Sequence, residues 1–166
     1  MQLRSFDDLQ TEQRAHRGNF TFKGEAPPLR VSALLRKLHR GGYVPTKEDR
    51  NALIVLRSLR IIPSTNQPVL KAPPQGLDTD LWLALTAMRQ KTLLEASKIL
   101  EAEAGATALE IGEVVVAITG HHLSDASKRR YGAGLLTWAH WASEQMKGIH
   151  TMPGRLLGRT MPAPLI

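Results

Sequence analysis

The chain has 166 residues, and its 22 lysines and arginines against 15 aspartates and glutamates give a formal net charge of +7. It contains no cysteine, which excludes a disulfide framework, a thiolate metal site and a cysteine nucleophile. A composition of 42% apolar and 22% charged residues is typical of a folded chain rather than a disordered one. The polar N-terminal residues and the lack of a long apolar run favour a cytoplasmic protein with no membrane contact.

The positive charge falls in two blocks on either side of an acidic one. Residues 1–76 carry 13 lysines and arginines against 6 acids, residues 77–121 carry 3 against 7, and residues 122–166 carry 6 against 2. Because a basic surface concentrates polyanions, the two outer blocks predict nucleic acid as the partner.

An irregular arm and a basic helical pair are predicted for the first part of the chain. Glycines and prolines interrupt the arm, residues 1–30, in which the run 19–23 is either a single strand or part of the arm. The pair, residues 31–62, contains a helix from Val31 to His39 and a second helix that begins with Thr46 as its N-cap. Six cations of the pair are candidate phosphate contacts: Arg36, Lys37, Arg40, Lys47, Arg50 and Arg57.

A proline-rich linker is predicted at residues 63–77, because its prolines forbid a helix. Residues 78–148 are predicted to form a second, helical subdomain, and residues 149–166 a C-terminal tail. The fold class is therefore all-α, a small helical bundle of five or six helices.

The beginning of the second subdomain leaves two arrangements open. One unbroken helix would run from Asp80 to Glu103. In the other arrangement Thr92 and Glu95 form a capping box, and a new helix begins at that point.

A short helix, a glycine turn and a longer helix are predicted within residues 105–146. Thr107 and Glu110 form a capping box for the short helix, Gly120 ends it, and Ser124 is the N-cap of the longer helix. The apolar face of the longer helix consists of Tyr131, Leu135, Trp138 and Ala142. Two glycines are expected to weaken the middle of that helix, Gly132 and Gly134.

This arrangement resembles a helix-turn-helix or winged-helix DNA-binding module, over about a quarter of the chain. In that family the N-terminal end of the second helix enters the major groove. The resemblance implies that the following residues contact DNA: Ser124, Asp125, Ser127, Lys128, Arg129 and Arg130. The turn at residues 120–123 is longer than in the tightest form of the motif, and winged-helix relatives tolerate such extra length better.

Two nucleic-acid-binding functions are compatible with these patterns, and a protein-interaction adaptor is a third alternative. The first is a non-enzymatic, double-stranded DNA-binding regulator, or an accessory factor of a mobile or defence element, which acts alone or as a homodimer. The alternative is a small all-helical subunit of a larger nucleoprotein assembly, such as a CRISPR-type effector complex, that binds the nucleic-acid backbone without reading its sequence. The sequence contains no nucleotide-binding glycine loop, no hydrolase nucleophile motif and no histidine pair at metal-binding spacing. No catalytic residue, cofactor or metal is therefore predicted.

Overall fold

A computed structural model describes residues 21–62 and 70–147. Within these ranges the chain forms six α-helices and one 3-10 turn, with no strand, which confirms the predicted all-α class. We number the helices α1 (Pro28–Arg40), α2 (Arg50–Ser58), α3 (Thr79–Ala87), α4 (Lys91–Ala102), α5 (Ala108–Thr119) and α6 (Asp125–Met146). None of the described helices combines the length and the apolar character that a membrane crossing requires.

The two helices of the basic pair begin differently from the prediction. Helix α1 starts at Pro28 rather than Val31, because proline in the first turn loses no helical hydrogen bond and already has a helical φ. Thr46 precedes a 3-10 turn, Lys47–Asp49, and α2 begins only after that turn. Of the strand-like run at residues 19–23, the described part forms no strand, and its first two residues lie outside the described range.

The segment at residues 21–27 packs across α6 and α4 without regular secondary structure. The indole nitrogen of Trp138 donates to the backbone carbonyl of Ala26 at 2.7 Å. The ring of Phe22 meets the same indole edge to face, with 5.1 Å between ring centroids. Both rings are fully buried, so this segment belongs to the core rather than to a detached arm.

The chain does break between α3 and α4, but not at the predicted capping box. Helix α3 ends at Ala87, and α4 begins at Lys91 with Gln90 as its N-cap. Thr92 lies inside α4, where its buried hydroxyl donates to the backbone carbonyl of Phe22. The capping box at Thr92 is therefore wrong, because a residue 70 positions away in sequence takes the hydroxyl that a cap would need.

Glycines bring the backbones of α5 and α6 into contact. A side chain at Gly132 would place its Cβ 1.7 Å from the carbonyl oxygen of Ala108, and one at Gly112 would lie 2.0 Å from that of Lys128. The two contacts are one turn apart on both helices and run in opposite directions along them, so α5 and α6 form a close antiparallel hairpin. Helix α6 continues unbroken through Gly132 and Gly134, which let the backbones of α5 and of Gly24 approach it closely.

One hydrophobic core includes helices from both predicted subdomains. Its buried members include Leu35 and Leu56 from the basic pair together with Leu83, Ile111 and Trp138 from the second subdomain. Part of the predicted linker, residues 63–69, and the predicted tail lie outside the described residues, so the division into domains stays a prediction.

A polar contact also joins the two predicted subdomains. Asp80 at the start of α3 accepts a hydrogen bond from the hydroxyl of Ser32 and forms a 3.0 Å ion pair with Arg36. Both partners lie on α1, so this carboxylate ties α1 directly to α3. The contact also determines which cations of α1 remain free.

Candidate nucleic-acid interface

Four cations surround the turn that joins α1 to α2. We call this group the basic tip, and it consists of Lys37, Arg40, Lys47 and Arg50. The ammonium group of Lys37 lies 5.1 Å from the centre of the Tyr43 ring, and the Tyr43 hydroxyl donates to Asp49 at 2.6 Å. These contacts hold the turn against the last turn of α1 and bring the four cations to one end of the helical pair.

The two glycines that begin the turn are exposed at the surface. Gly41 and Gly42 have φ angles of 81° and 76°, in the left-handed region that glycine adopts without strain. A Cβ added to either glycine would meet no atom within 4 Å. The backbone of the tip is therefore accessible from outside.

The two acids of the tip are engaged within the turn. Asp49 accepts hydrogen bonds from the Tyr43 hydroxyl and from the backbone nitrogen of Thr46, and these bonds hold the pKa of its carboxyl below the usual value. Glu48 accepts the Thr46 hydroxyl at 2.7 Å, which lowers its pKa as well. Both carboxylates serve the turn, and neither forms an ion pair with a described cation of the tip.

Most of the predicted cations of the pair are exposed and available. Among the described residues, Arg40, Lys47, Arg50 and Arg57 are exposed and form no ion pair with an acid. Arg36 differs from them, because its guanidinium is held by Asp80. The predicted cations of the pair thus lie on α1, the 3-10 turn and α2, and among the described residues Arg36 is the one that an acid holds in an ion pair.

The predicted serines at the start of α6 form the N-cap of that helix. The hydroxyl oxygen of Ser124 accepts the backbone N–H of Ser127 at 3.2 Å and lies 3.1 Å from the Ser127 hydroxyl. This confirms Ser124 as the N-cap. Both hydroxyls already have a partner within the helix end.

Lys128 is occupied by carboxylates of its own surroundings. Its ammonium group lies 2.8 Å from Glu113 on α5 and 3.9 Å from Asp125, and its side chain is only 17% exposed. The hydrogen bond that the Lys128 ammonium donates to Glu113 raises the pKa of Lys128, so the ammonium stays charged and its charge is balanced by the carboxylate. This lysine links α5 to α6.

The two neighbouring arginines differ from each other. Arg130 stacks on the Tyr131 ring, with its guanidinium carbon 4.9 Å from the ring centre, and donates to the Tyr131 hydroxyl at 3.2 Å. Arg129 is exposed and has no ion pair with a described residue. Among the described residues, Lys128 is the cation of the run that pairs with carboxylates, whereas Arg129 and Arg130 form no ion pair.

A half-buried carboxylate lies beside Arg130 and was not anticipated. Burial raises the pKa of Glu25, although the backbone N–H and charge of Lys23 and the charge of Arg130 favour its ionised form. Lys23 lies over the same ring as Arg130, with 5.4 Å between its ammonium group and the centre of the Tyr131 ring. The sequence held no signal for this cluster, because Glu25 and Arg130 are 105 positions apart.

Comparisons of the chain with protein-family models, with curated proteins and with solved structures found no match. Over residues 21–62 and 70–147, no three histidine, aspartate or glutamate side chains are grouped so that they could hold a metal ion.

Proposed function

We propose that this protein is a non-enzymatic nucleic-acid-binding protein, which contacts the phosphate backbone through Arg40, Lys47 and Arg50 of the basic tip and through Arg57, without reading base sequence. The observation that supports the proposal is the availability of Arg40, Lys47 and Arg50, three exposed cations at one turn with no carboxylate partner among the described residues. Such cations displace the counterions condensed on nucleic acid, which drives binding at low salt. A small subunit of a larger cytoplasmic nucleoprotein assembly would need this kind of surface.

The spacing of these cations suits a phosphate backbone. Arg50 and Arg57 are two helical turns apart, or about 10 Å along α2. One strand of B-DNA carries a phosphate about every 3.4 Å along its axis, so an α2 that lies along that axis places the two guanidiniums about three phosphate steps apart. If Arg40, Lys47, Arg50 and Arg57 each neutralise one phosphate, log K falls against log salt with a slope of about −3.6 on duplex DNA.

The test is a set of anisotropy titrations on a random duplex and on a single strand across salt concentrations. In the triple variant Arg40→Ala/Lys47→Ala/Arg50→Ala, the magnitude of the duplex slope should fall by about 2.7, equally for every sequence tested. The matched control is Lys91→Ala/Lys98→Ala/Lys147→Ala, which removes the same charge from lysines that are paired with Glu95 and Glu144.

The outcomes separate local contacts from net charge. A much smaller change of slope in the control supports contact at the basic tip. Equal losses in the two triple variants would mean that net charge alone governs binding. A wild-type protein that binds neither nucleic acid at low salt would contradict the proposal.

A second candidate function is sequence reading by the start of α6, as the helix-turn-helix resemblance implies. The observation that favours it is Arg129, an exposed guanidinium that forms no ion pair with a described residue and lies in the first turns of a helix capped by Ser124. Arginine at such a position makes bidentate contacts with guanine. Selection from a random duplex library tests this role: an enriched site whose preference is lost in Arg129→Ala supports it, and a selection that enriches no sequence contradicts it.

A further inference from the structure

An exposed apolar side chain stands at the apex of the basic tip. Val44 is 78% exposed, and Pro45 beside it is exposed as well. In the described part of the chain Leu29, at 72%, is the other large hydrophobic residue with comparable exposure. Arg40 and Lys47, both exposed cations, precede and follow Val44 in the sequence by four and three residues.

The turn holds Val44 between two anchored neighbours. Tyr43 packs partly against the hydrophobic core and donates its hydroxyl to Asp49. On the other side, the backbone nitrogen of Thr46 donates to the same carboxylate at 2.9 Å. The segment between these two bonds is short and includes a proline, so the apolar apex is presented in a defined position.

We propose that Val44 and Pro45 form an apolar wedge that enters between adjacent bases of the nucleic acid bound by the basic tip. This wedge rests on the proposed backbone binding, and it adds a contact between the apex of the tip and the bases. Side chains of this kind unstack a base step at a cost of a few kcal/mol, and nearby cations offset that cost by holding the flanking phosphates. Arg40 and Lys47 are placed for this task.

The wedge also identifies the preferred class of nucleic acid. Pyrimidine–purine steps unstack more easily than others, and a mismatched or single-stranded base is already partly free. The protein should therefore favour nucleic acid with a deformable step or a junction over a stiff A-tract. This preference depends on stacking rather than on hydrogen bonds to base edges.

An anionic lipid surface is the other target for an apolar apex flanked by cations. Stable insertion into a lipid surface needs a larger apolar area than Val44 and Pro45 supply, since the neighbouring Gly41 and Gly42 add none. The continuation of free cations along α2 to Arg57 also fits a linear polyanion better than a plane.

The experiment uses the full chain and a duplex with 2-aminopurine at a central TA step. Binding of the wild-type protein should raise the fluorescence of this base, because the wedge unstacks it. Val44→Ser should abolish that rise and lower affinity by about tenfold, or about 1.4 kcal/mol, with an unchanged salt slope. Leu29→Ser is the matched control, since it makes the same change at an exposed position away from the turn and should alter neither readout.

Each outcome bears on one of the two proposals. Binding with the expected salt slope but without a Val44-dependent fluorescence rise overturns the wedge and leaves backbone binding intact. No binding at low salt contradicts backbone binding itself. Co-sedimentation with phosphatidylserine vesicles that is lost in Val44→Ser, together with a 2-aminopurine signal unaffected by that change, would assign the apex to a lipid surface and overturn the wedge.

Discussion

The basic tip and the start of α6 are both rich in cations, but their surroundings use those cations differently. At the start of α6, Lys128 is neutralised by Glu113 and Arg130 lies on the Tyr131 ring. At the tip, Arg40 and Arg50 have no carboxylate partner among the described residues. A basic run in a sequence thus predicts a cationic surface only where the neighbouring helices bring no acid to it.

The largest expected effect concerns the hairpin that carries the start of α6. Gly132→Ala should lower the free energy of unfolding by at least about 3 kcal/mol, because the new Cβ would lie 1.7 Å from a backbone carbonyl that cannot move aside cheaply. Urea denaturation followed by circular dichroism measures this loss. Gly105→Ala is the control, since a Cβ there meets no atom within 4 Å. Equal stability of the two variants would contradict the close packing of α5 on α6.

Asp80→Ala should lower the free energy of unfolding by about 1–3 kcal/mol. Comparing this variant with changes at Arg36 and Arg40 tests which cation of α1 is structural. The change leaves the buried Ser32 hydroxyl without its acceptor and releases Arg36. Arg36→Ala should cost up to about 1 kcal/mol, since that ion pair is partly exposed to solvent.

The matched change is Arg40→Ala, which should alter the free energy of unfolding by less than about 0.5 kcal/mol. Thermal and urea unfolding of the three variants check this order. A destabilisation by Arg40→Ala as large as that by Asp80→Ala would mean that the tip is structural rather than free.

A smaller effect, which depends on pH, is expected for the contribution of Glu25 to the free energy of unfolding. The pKa of Glu25 is raised in the folded protein, so the folded state holds this proton more firmly than the unfolded state does. Its contribution to stability is complete below the usual glutamate pKa and is lost as pH rises through the raised value. Glu25→Gln should therefore become progressively more stable relative to wild type between acidic and neutral pH.

Urea denaturation at several pH values measures the difference for Glu25→Gln. Glu48→Gln is the control with the opposite sign, because the pKa of Glu48 is lowered in the folded protein. A difference for Glu25→Gln that does not change with pH, or that shrinks towards neutral pH, would contradict burial as the cause of the shift.

Local signals in the sequence predicted most of the helices, and distant contacts explain where the predictions failed. Ser124 and Thr107 cap helices and Gly120 ends one as predicted, because each feature depends on residues within one turn. Thr92 had the same local pattern, but its hydroxyl donates to the backbone carbonyl of Phe22. A pattern within one helical turn cannot predict a contact 70 positions away in the sequence.

The candidate site was predictable to a smaller extent. The six cations of the basic pair could be named from helical periodicity, yet the engagement of Arg36 by Asp80 depends on the packing of α1 on α3. The neutralisation of Lys128 likewise depends on the proximity of α5, which Gly112 and Gly132 permit. A single sequence indicates which residues of each helix are exposed, but it does not indicate which helices pack against each other.

The central claim is that phosphate is bound at the basic tip rather than at the run Lys128-Arg129-Arg130. Its most direct test compares the salt dependence of duplex binding by Arg50→Ala and by Arg129→Ala, each shown to be folded at the temperature used. We predict that Arg50→Ala lowers the magnitude of the slope by about 0.9 and that Arg129→Ala leaves it unchanged. A slope that falls in Arg129→Ala and stays at the wild-type value in Arg50→Ala would contradict the claim.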